Sequence, residues 1–425
     1  MFNETWIALA LFITLLGLVM GQDGLLLVAV LILTVAPLAW LWNEYSLYGV
    51  EYERLLSERR AFLGETVDIT LRVANRKLLP LGWLRVDDQF PLALPLTKGE
   101  WSPSPQPTVG YVSNLLSLRW YERTSRRYQI LCQERGFYAF GPASIRSGDI
   151  FGLFSKAYKS DHLDWLIVYP KVEPIESLGL PAKDPFGETK ARQRIFEDPS
   201  RTIGVRDHQP EDSFKHIHWK ATARHQELQV KVYEPTTTFN LIVFLNVATL
   251  PRHWQGTIPP LLERAISVAA SIASYGVAQR YTVGLLANGC LPMSDQPIKV
   301  LPGRSPNQLT RILEALAAVT SFATSSIEDL LSAESPKLPW GATLVVVSAV
   351  FTDELLATML RLRDAGRRLV LVSLADEAPS HELTGIIAYH LPEEELDFKP
   401  YEGAEAQQIA ISEWVHKSVV GGIEA

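Results

Sequence analysis

Apolar and polar positions follow three different rhythms along this chain, and each predicts a different kind of element. At the start the apolar positions are continuous. Trp6 to Met20 and Leu25 to Trp42 carry no charge, and only Gly21-Gln22-Asp23-Gly24 separates them. A spanning helix needs roughly 17–25 apolar residues. Residues 1–48 therefore read as a two-helix transmembrane hairpin with helices at about 4–20 and 25–42, the alternative being one span preceded by a re-entrant segment. Phe2 and Trp6 at one end and Trp40, Trp42, Tyr45 and Tyr48 at the other match the aromatic belt of a single bilayer face. No Lys or Arg precedes Arg54, which argues against a cleaved signal peptide. Arg54, Arg59 and Arg60 follow the second helix, so the positive-inside bias puts the bulk of the chain in the cytoplasm.

The second rhythm has a period of two. Val67, Ile69, Leu71 and Val73 alternate with Asp68, Thr70 and Arg72, the mark of a half-buried strand. Further short extended runs at 83–86, 127–132, 137–140 and 165–169, broken by Gly, Pro, Asn and Asp, predict a β-sandwich domain over 49–173. The Pro-rich stretch from Pro91 to Pro107 reads as a surface loop. Pro174, Pro181, Pro185 and Pro199 among mixed charges mark a connector that opens a segment at 174–235.

The third rhythm alternates buried strands with helices. Leu241-Ile-Val-Phe-Leu245 suits a strand covered on both faces. A helix at about 260–279, a strand at 281–287, a helix at 306–319, a strand at 343–348, a helix at 352–365 and a strand at 368–374 follow. Such βαβ units build a doubly wound α/β domain over 236–425. The fold class is thus a multidomain α+β membrane protein.

Composition narrows the function. Forty Lys+Arg against 47 Asp+Glu give a net charge of −7, so no global positive field exists to hold a phosphate backbone and nucleic acid is excluded as a partner class. With 47% hydrophobic residues the chain can bury a core. Two cysteines, Cys132 and Cys290, are too few for a disulfide scaffold or a CxxC metal site, and fit a reducing compartment.

Two stretches carry a resemblance. The first is Glu134-Arg135-Gly136-Phe137-Tyr138 with Phe140-Gly141-Pro142 and Asp149-Ile150-Phe151-Gly152-Leu153-Phe154. The second is Gly204-Val-Arg206-Asp207-His208-Gln-Pro210-Glu211-Asp212, continuing through Lys215, Ile217, Trp219, Thr222-Ala223-Arg224, Leu228, Val230 and Tyr233-Glu234. Together they resemble the bacterial family known as domain of unknown function fifty-eight, in which Ile150 stands for a usual Pro, His208 for Tyr, Glu211 for Gly and Lys215 for Arg. The resemblance implies membrane anchoring, a von Willebrand factor A-like C-terminal domain, and association with chaperone-like AAA+ ATPases of the MoxR type. It makes Gly204, Arg206, Asp207, Asp212, Lys215, Ile217, Trp219, Ala223, Arg224 and Glu234 the signature residues.

Without the family, the same segment has its own physics. Asp212 suits the N-cap of a short helix that turns Phe214 and Ile217 inward. Arg206, Asp207, Lys215, Lys220 and Arg224 around Trp219 suit either an internal weld between domains or a docking surface anchored by Arg and Trp. His208, His216, His218 and His225 crowd the same stretch, but no HExxH spacing is present and a helix would point His216 and His218 apart. A von Willebrand A-like domain often holds Mg²⁺ after its first strand. Here Asn246, Ala248 and Leu250 stand at those places, so a degenerate site without metal is expected. No Gly-x-Ser-x-Gly elbow, Cys-His pair or phosphate-cradling loop appears, so no catalytic residue and no cofactor are assigned. The sequence reads as a membrane-anchored, non-enzymatic adaptor of a MoxR-type AAA+ ATPase in the bacterial plasma membrane, two-pass. The alternative is a metal-dependent hydrolase using the His/Asp-rich 207–225 segment.

Overall fold

The computed structural model describes the chain except residues 1–4, 98–100, 103, 105, 182–184, 187–196, 210–216, 236–238, 293, 295, 340, 376–382 and 392–425. The chain divides into two compact units, the first holding Met1–Lys171 together with the short stretch Leu316–Ala318 and the second holding Val172–Ala315 and the chain from Val319 onward to Phe398.

The first unit begins with helices α1 (Thr5–Met20) and α2 (Asp23–Ser46), joined by a tight turn at Gln22. Gly17 of α1 lies against Leu25 and Leu26 of α2, and the buried positions of α2 include Ala29, Ala36 and Ala39. Small side chains let two apolar helices approach each other. Their outward faces leave Leu11, Phe12, Leu15, Leu27, Val30 and Leu31 exposed. α2 is long and apolar enough to cross a membrane.

Ten strands follow: β1 (Val50–Leu56), β2 (Arg60–Phe62), β3 (Thr66–Asn75), β4 (Leu81–Pro91), β5 (Val109–Leu118), β6 (Arg123–Leu131), β7 (Gly136–Phe140), β8 (Ala143–Gly148), β9 (Ser155–Ser160) and β10 (Asp164–Tyr169). They form three sheets ordered β1-β3-β6, β2-β10-β7 and β5-β4-β8-β9. The period-two rhythm of β3 puts Val67, Ile69 and Leu71 into a core shared with Phe90, Val112, Ile130, Phe140, Leu166 and Val168. All three sheets contribute to it. The Pro-rich stretch after β4 is more than a surface loop, because Leu94 is fully buried in that core and Trp101 stacks edge-on against Phe90.

In the second unit the expected connector packs. Ile175, Leu180 and Phe186 are buried, and Phe186 meets Tyr275 edge to face. A two-stranded ribbon of β11 (Glu197–Asp207) and β12 (Gln229–Pro235) carries helix α3 (Trp219–His225) between its strands. Then come β13 (Asn240–Leu245), α4 (Pro259–Ala278), β14 (Thr282–Cys290), β15 (Pro297–Gly303), α5 (Gln308–Ala318), α6 (Ile327–Glu334), β16 (Thr343–Ser348), α7 (Asp353–Asp364), β17 (Arg368–Ser373) and β18 (Ile387–His390). The sheet order is β15-β14-β13-β16-β17-β18. All neighbours are parallel except β14 and β15.

Helices cover both faces of this sheet. Ile242 and Phe244 pack with Leu330 and Leu331 of α6 and Leu355 and Met359 of α7, while Gly276 of α4 lies on Leu241 and Val283, on the other face. α4 also passes for a membrane span by length and composition, yet 56% of that window is buried against 17% for α2, which makes α4 a core helix. α7 starts where Thr352 accepts from the Leu355 amide, with Asp353 and Glu354 in its first turn and Arg361 and Arg363 in its last, charges that oppose the helix dipole favourably.

Candidate functional site

Most of the signature residues fall on the β11–β12 ribbon and α3. Gly204 pairs with Val232, Arg206 with Val230, and Asp207 with Gln229. Glu234 stands opposite Asp198. Within the loop between the strands, Ile217 bridges to Val230, and both side chains are buried. The His218 amide donates to the Gln229 carbonyl at 2.8 Å and the His208 amide to the Leu228 carbonyl at 2.9 Å. The Gln229 amide in turn donates to Thr222 Oγ1 of α3 at 3.0 Å. The loop is thereby sewn to the ribbon by its backbone.

The helix that the structure describes in this stretch, α3, lies beyond the expected one. Its N-cap is His218, whose Nδ1 accepts from the Ala221 amide at 3.0 Å, and Ile217 precedes it in an extended bridge. Asp212, Phe214 and Lys215, which carried the expected cap and inward face, lie outside the described residues. Ile217, expected on the inward face of that helix, pairs across the ribbon with Val230 instead.

The polar groups point outward. Arg206, Asp207, Trp219, Lys220, Ala223 and Arg224 are exposed, and 69% of Trp219 is open to solvent. Gln229 Nε2 donates to Asp207 Oδ1 at 2.6 Å, and Arg206 donates to the Asp207 carbonyl at 3.1 Å. Of the four histidines, His218 caps α3, His208 is held by its backbone, His225 ends α3 and His216 lies outside the described residues. Among the described residues no group of three or more His, Cys, Asp or Glu could hold a metal ion.

The carboxyl ends of β13, β14 and β16 hold a different arrangement. Asn246 Nδ2 donates to Ser348 Oγ at 2.9 Å. Asn246 Oδ1 accepts from Asn288 Nδ2 at 2.9 Å and from the Ala248 amide at 3.2 Å. Asn288 Oδ1 accepts from the Val247 amide at 2.7 Å, its Nδ2 also reaches the Ser325 carbonyl, and Ser348 Oγ donates to the Val350 carbonyl. Leu250 is half-buried beside this cluster in sequence and adds no polar group. Both acceptor sites of Asn246 Oδ1 are filled by protein donors. The cluster locks three strand ends and offers no group for proton transfer. In the sequence Asn288 shows only as a lone amide within the apolar run of β14.

A second buried polar cluster lies in the first unit. Arg54 of β1 forks onto Asp88 of β4, with Nε 2.9 Å from Oδ2 and Nη2 in close contact with Oδ1, while Nη1 donates to Asp164 Oδ2 and to the Phe140 carbonyl at 2.9 Å each. Tyr52 donates to Asp88 Oδ2 at 2.5 Å. Gly141, at φ +98°, leaves the room: a Cβ there would lie 2.7 Å from the His162 carbonyl and 2.9 Å from Arg54 Nη2. Burial works against the charge of Arg54, but the hydrogen bond and attraction of Asp88 outweigh it and raise its pKa. Burial, and then the Asp88 charge, push the Tyr52 phenol well up. This is a structural joint, because its charges are satisfied from within the fold.

Solved structures resemble parts of the chain only weakly. The CARDB domain of the PF1109 protein from Pyrococcus furiosus, in complex with di-metal ions, covers 28% of this chain and 86% of its own at 11% identity, with a TM-score of 0.20. The sporulation control protein Spo0M from Bacillus subtilis covers 28% of this chain and 49% of its own at 13% identity, with a TM-score of 0.18. Scores this low carry no inference. In sequence, the chain is 23% identical over 335 residues, 78% of this chain and 77% of the relative, to the protein of Bacillus subtilis (strain 168) described as "Uncharacterized protein YeaD". The stretch 204–399, which opens at Gly204 of the signature and runs through the six-stranded sheet, is similar to the family described as "Protein of unknown function DUF58".

Proposed function

We propose that this chain is a membrane-anchored, non-catalytic interaction protein of the bacterial plasma membrane, two-pass, with its bulk in the cytoplasm. In this reading the α/β unit is a von Willebrand A-like scaffold, and the ribbon with α3 is its docking surface. The observation that carries it is the exposure of Trp219 beside Lys220 and Arg224 on a short helix pinned to the ribbon. An indole in solvent flanked by cations on a fixed frame has the composition of an interface hot spot, whereas an internal weld would bury it. The apolar outer faces of α1 and α2, larger than a water-facing surface tolerates, support the anchor. The amide cluster at Asn246 supports the non-catalytic part.

The sequence resemblance supplies the partner class, a MoxR-type AAA+ ATPase to which the chain would present clients as an adaptor. The test is capture of the tagged protein from its own solubilised membranes, with and without a slowly hydrolysed ATP analogue, beside Arg206→Ala/Arg224→Ala. Recovery of an AAA+ ATPase with the parent and its loss with the folded double variant supports the reading. Absence of any ATPase under both conditions overturns it.

A further inference from the structure

The end of the first unit where α2 enters is ringed by ordered turns whose tips are apolar. The register fixes which turns share that end. β1 begins there, with Val50 opposite Asn75, the last residue of β3. Ala74 stands opposite Arg123, Leu81 opposite Leu118, Leu84 opposite Ser147 and Gly148 opposite Ser155. The turns 76–80, 119–122 and 149–154 therefore all lie beside the hairpin. At their tips Leu78, Trp120, Tyr121, Ile150, Phe151 and Leu153 are each at least half exposed.

These turns are built, not loose. The Asp149 carboxylate accepts from the amides of Phe151 at 2.8 Å, Leu153 at 3.2 Å and Phe154 at 2.5 Å, and Trp83 Nε1 donates to the Asp149 carbonyl at 3.2 Å. At Gly148 a Cβ would collide with the Phe154 carbonyl, so the turn closes tightly at its base. Asn75 Nδ2 ties Leu79 and Arg119 through their carbonyls at 2.9 Å, and the Tyr121 amide donates to the Lys77 carbonyl at 3.3 Å. Lys77 Nζ donates to the carbonyls of Ser46 at 2.5 Å and Tyr48 at 2.6 Å, just past the end of α2. Between α2 and this turn an open apolar pocket of about 450 Å³ is lined by Leu38, Leu41, Trp42 and Tyr45 with Leu79.

We propose that these three turns dip into the bilayer surface from which α2 emerges, so that the β-strand domain lies against lipid instead of standing off it. The occupant is phospholipid, because the tips continue the apolar and aromatic surface of α2. The tips themselves are apolar; of the basic groups at this end Arg76 pairs with Glu51 at 2.7 Å and Lys156 with Glu44 at 3.0 Å, while Arg119 and Arg123 flank the Trp120-Tyr121 tip exposed, where lipid headgroups would lie. Aliphatic and aromatic tips on rigid turns suit the interfacial layer. The proposal rests on the membrane reading of the hairpin.

The test uses the full chain reconstituted in phosphatidylcholine vesicles, spin-labelled in turn at Phe151→Cys, Trp120→Cys, Leu31→Cys on α2 and Glu58→Cys at the opposite end of the strands. Cys132 and Cys290 are buried and stay unlabelled in the folded protein. The labels at 151 and 120 are expected to meet dissolved oxygen over a water-soluble nickel chelate severalfold more than the label at 58, at low and high salt alike. Values equal to that at 58 while 31 reads as lipid overturn the turn contact alone. A water-like reading at 31 as well overturns the membrane anchor and the contact with it. Without any label, quenching by acyl-brominated phospholipid should fall when Trp120→Tyr is introduced; unchanged quenching overturns the contact.

Discussion

Each unit fastens its strands with a buried polar cluster, and the two clusters are of opposite kinds. In the first unit a guanidinium sits between two carboxylates and a phenol, with Arg54 and Asp88 almost wholly withdrawn from water. In the second, two amides and a hydroxyl share their bonds among Asn246, Asn288 and Ser348. The charged joint holds strands 34 and 110 positions apart in sequence, and losing one partner leaves a buried group that must stay charged and unpaired or be neutralised by a proton. The amide joint is milder, because a lost partner leaves a dipole unsatisfied and no charge.

That contrast can be broken most sharply at Arg54. Arg54→Ala strands Asp88 in the core and should cost about 3–5 kcal/mol in urea unfolding of the first unit; a loss under 1 kcal/mol would mean that water reaches the carboxylates. Next, Asn288→Ala should cost about 1–3 kcal/mol in the second unit, and its cost should not change with pH because nothing in the cluster titrates. EDTA or added Mg²⁺ should leave the melting temperature of the parent where it is; a rise with Mg²⁺ would show that the strand-end cluster opens to a cation.

Alkali sharpens the comparison further. Burial, and then the Glu65 charge, raise the Cys132 thiol from 9.0 to about 11. The folded pKa lies above the unfolded one, so this contribution is whole below pH 9 and fades as pH climbs towards 11. Tyr52 acts in the same direction above pH 10. The first unit should lose stability across that window, with a shallower slope in Cys132→Ala. The smallest effect is expected at Trp219→Ala, within about 0.5 kcal/mol of the parent, so that any loss of partner capture there reports the surface and not the fold.

Local pattern carried much of the fold into the sequence. β3 announced itself through Val67, Ile69, Leu71 and Val73, β16 lies where its apolar run put it, and α4 needed only its length and its starting prolines. β15 did not, because an antiparallel edge strand that begins at Pro297 and buries little besides Ile298 has no rhythm to read. Leu94 was hidden by the prolines around it. Of the candidate site, the signature residues were legible as a group. Their outward orientation was not, since it follows from Ile217 pairing with Val230 across the ribbon. His218 is an unusual cap that no local pattern announces. The Arg54 joint and Asn288 were illegible for a common reason: each side chain is explained by partners dozens of positions away, and no local window contains them.

The latch at the end of α2 has a mechanical consequence. Lys77 grips the carbonyls of Ser46 and Tyr48, one at the last residue of α2 and one just past it, while Glu44 reaches Lys156 of β9 through an exposed and screened pair. The exit of the helix is therefore held at its backbone by a side chain of the strand unit, and no free linker separates the two: the strands start turning where the helix stops.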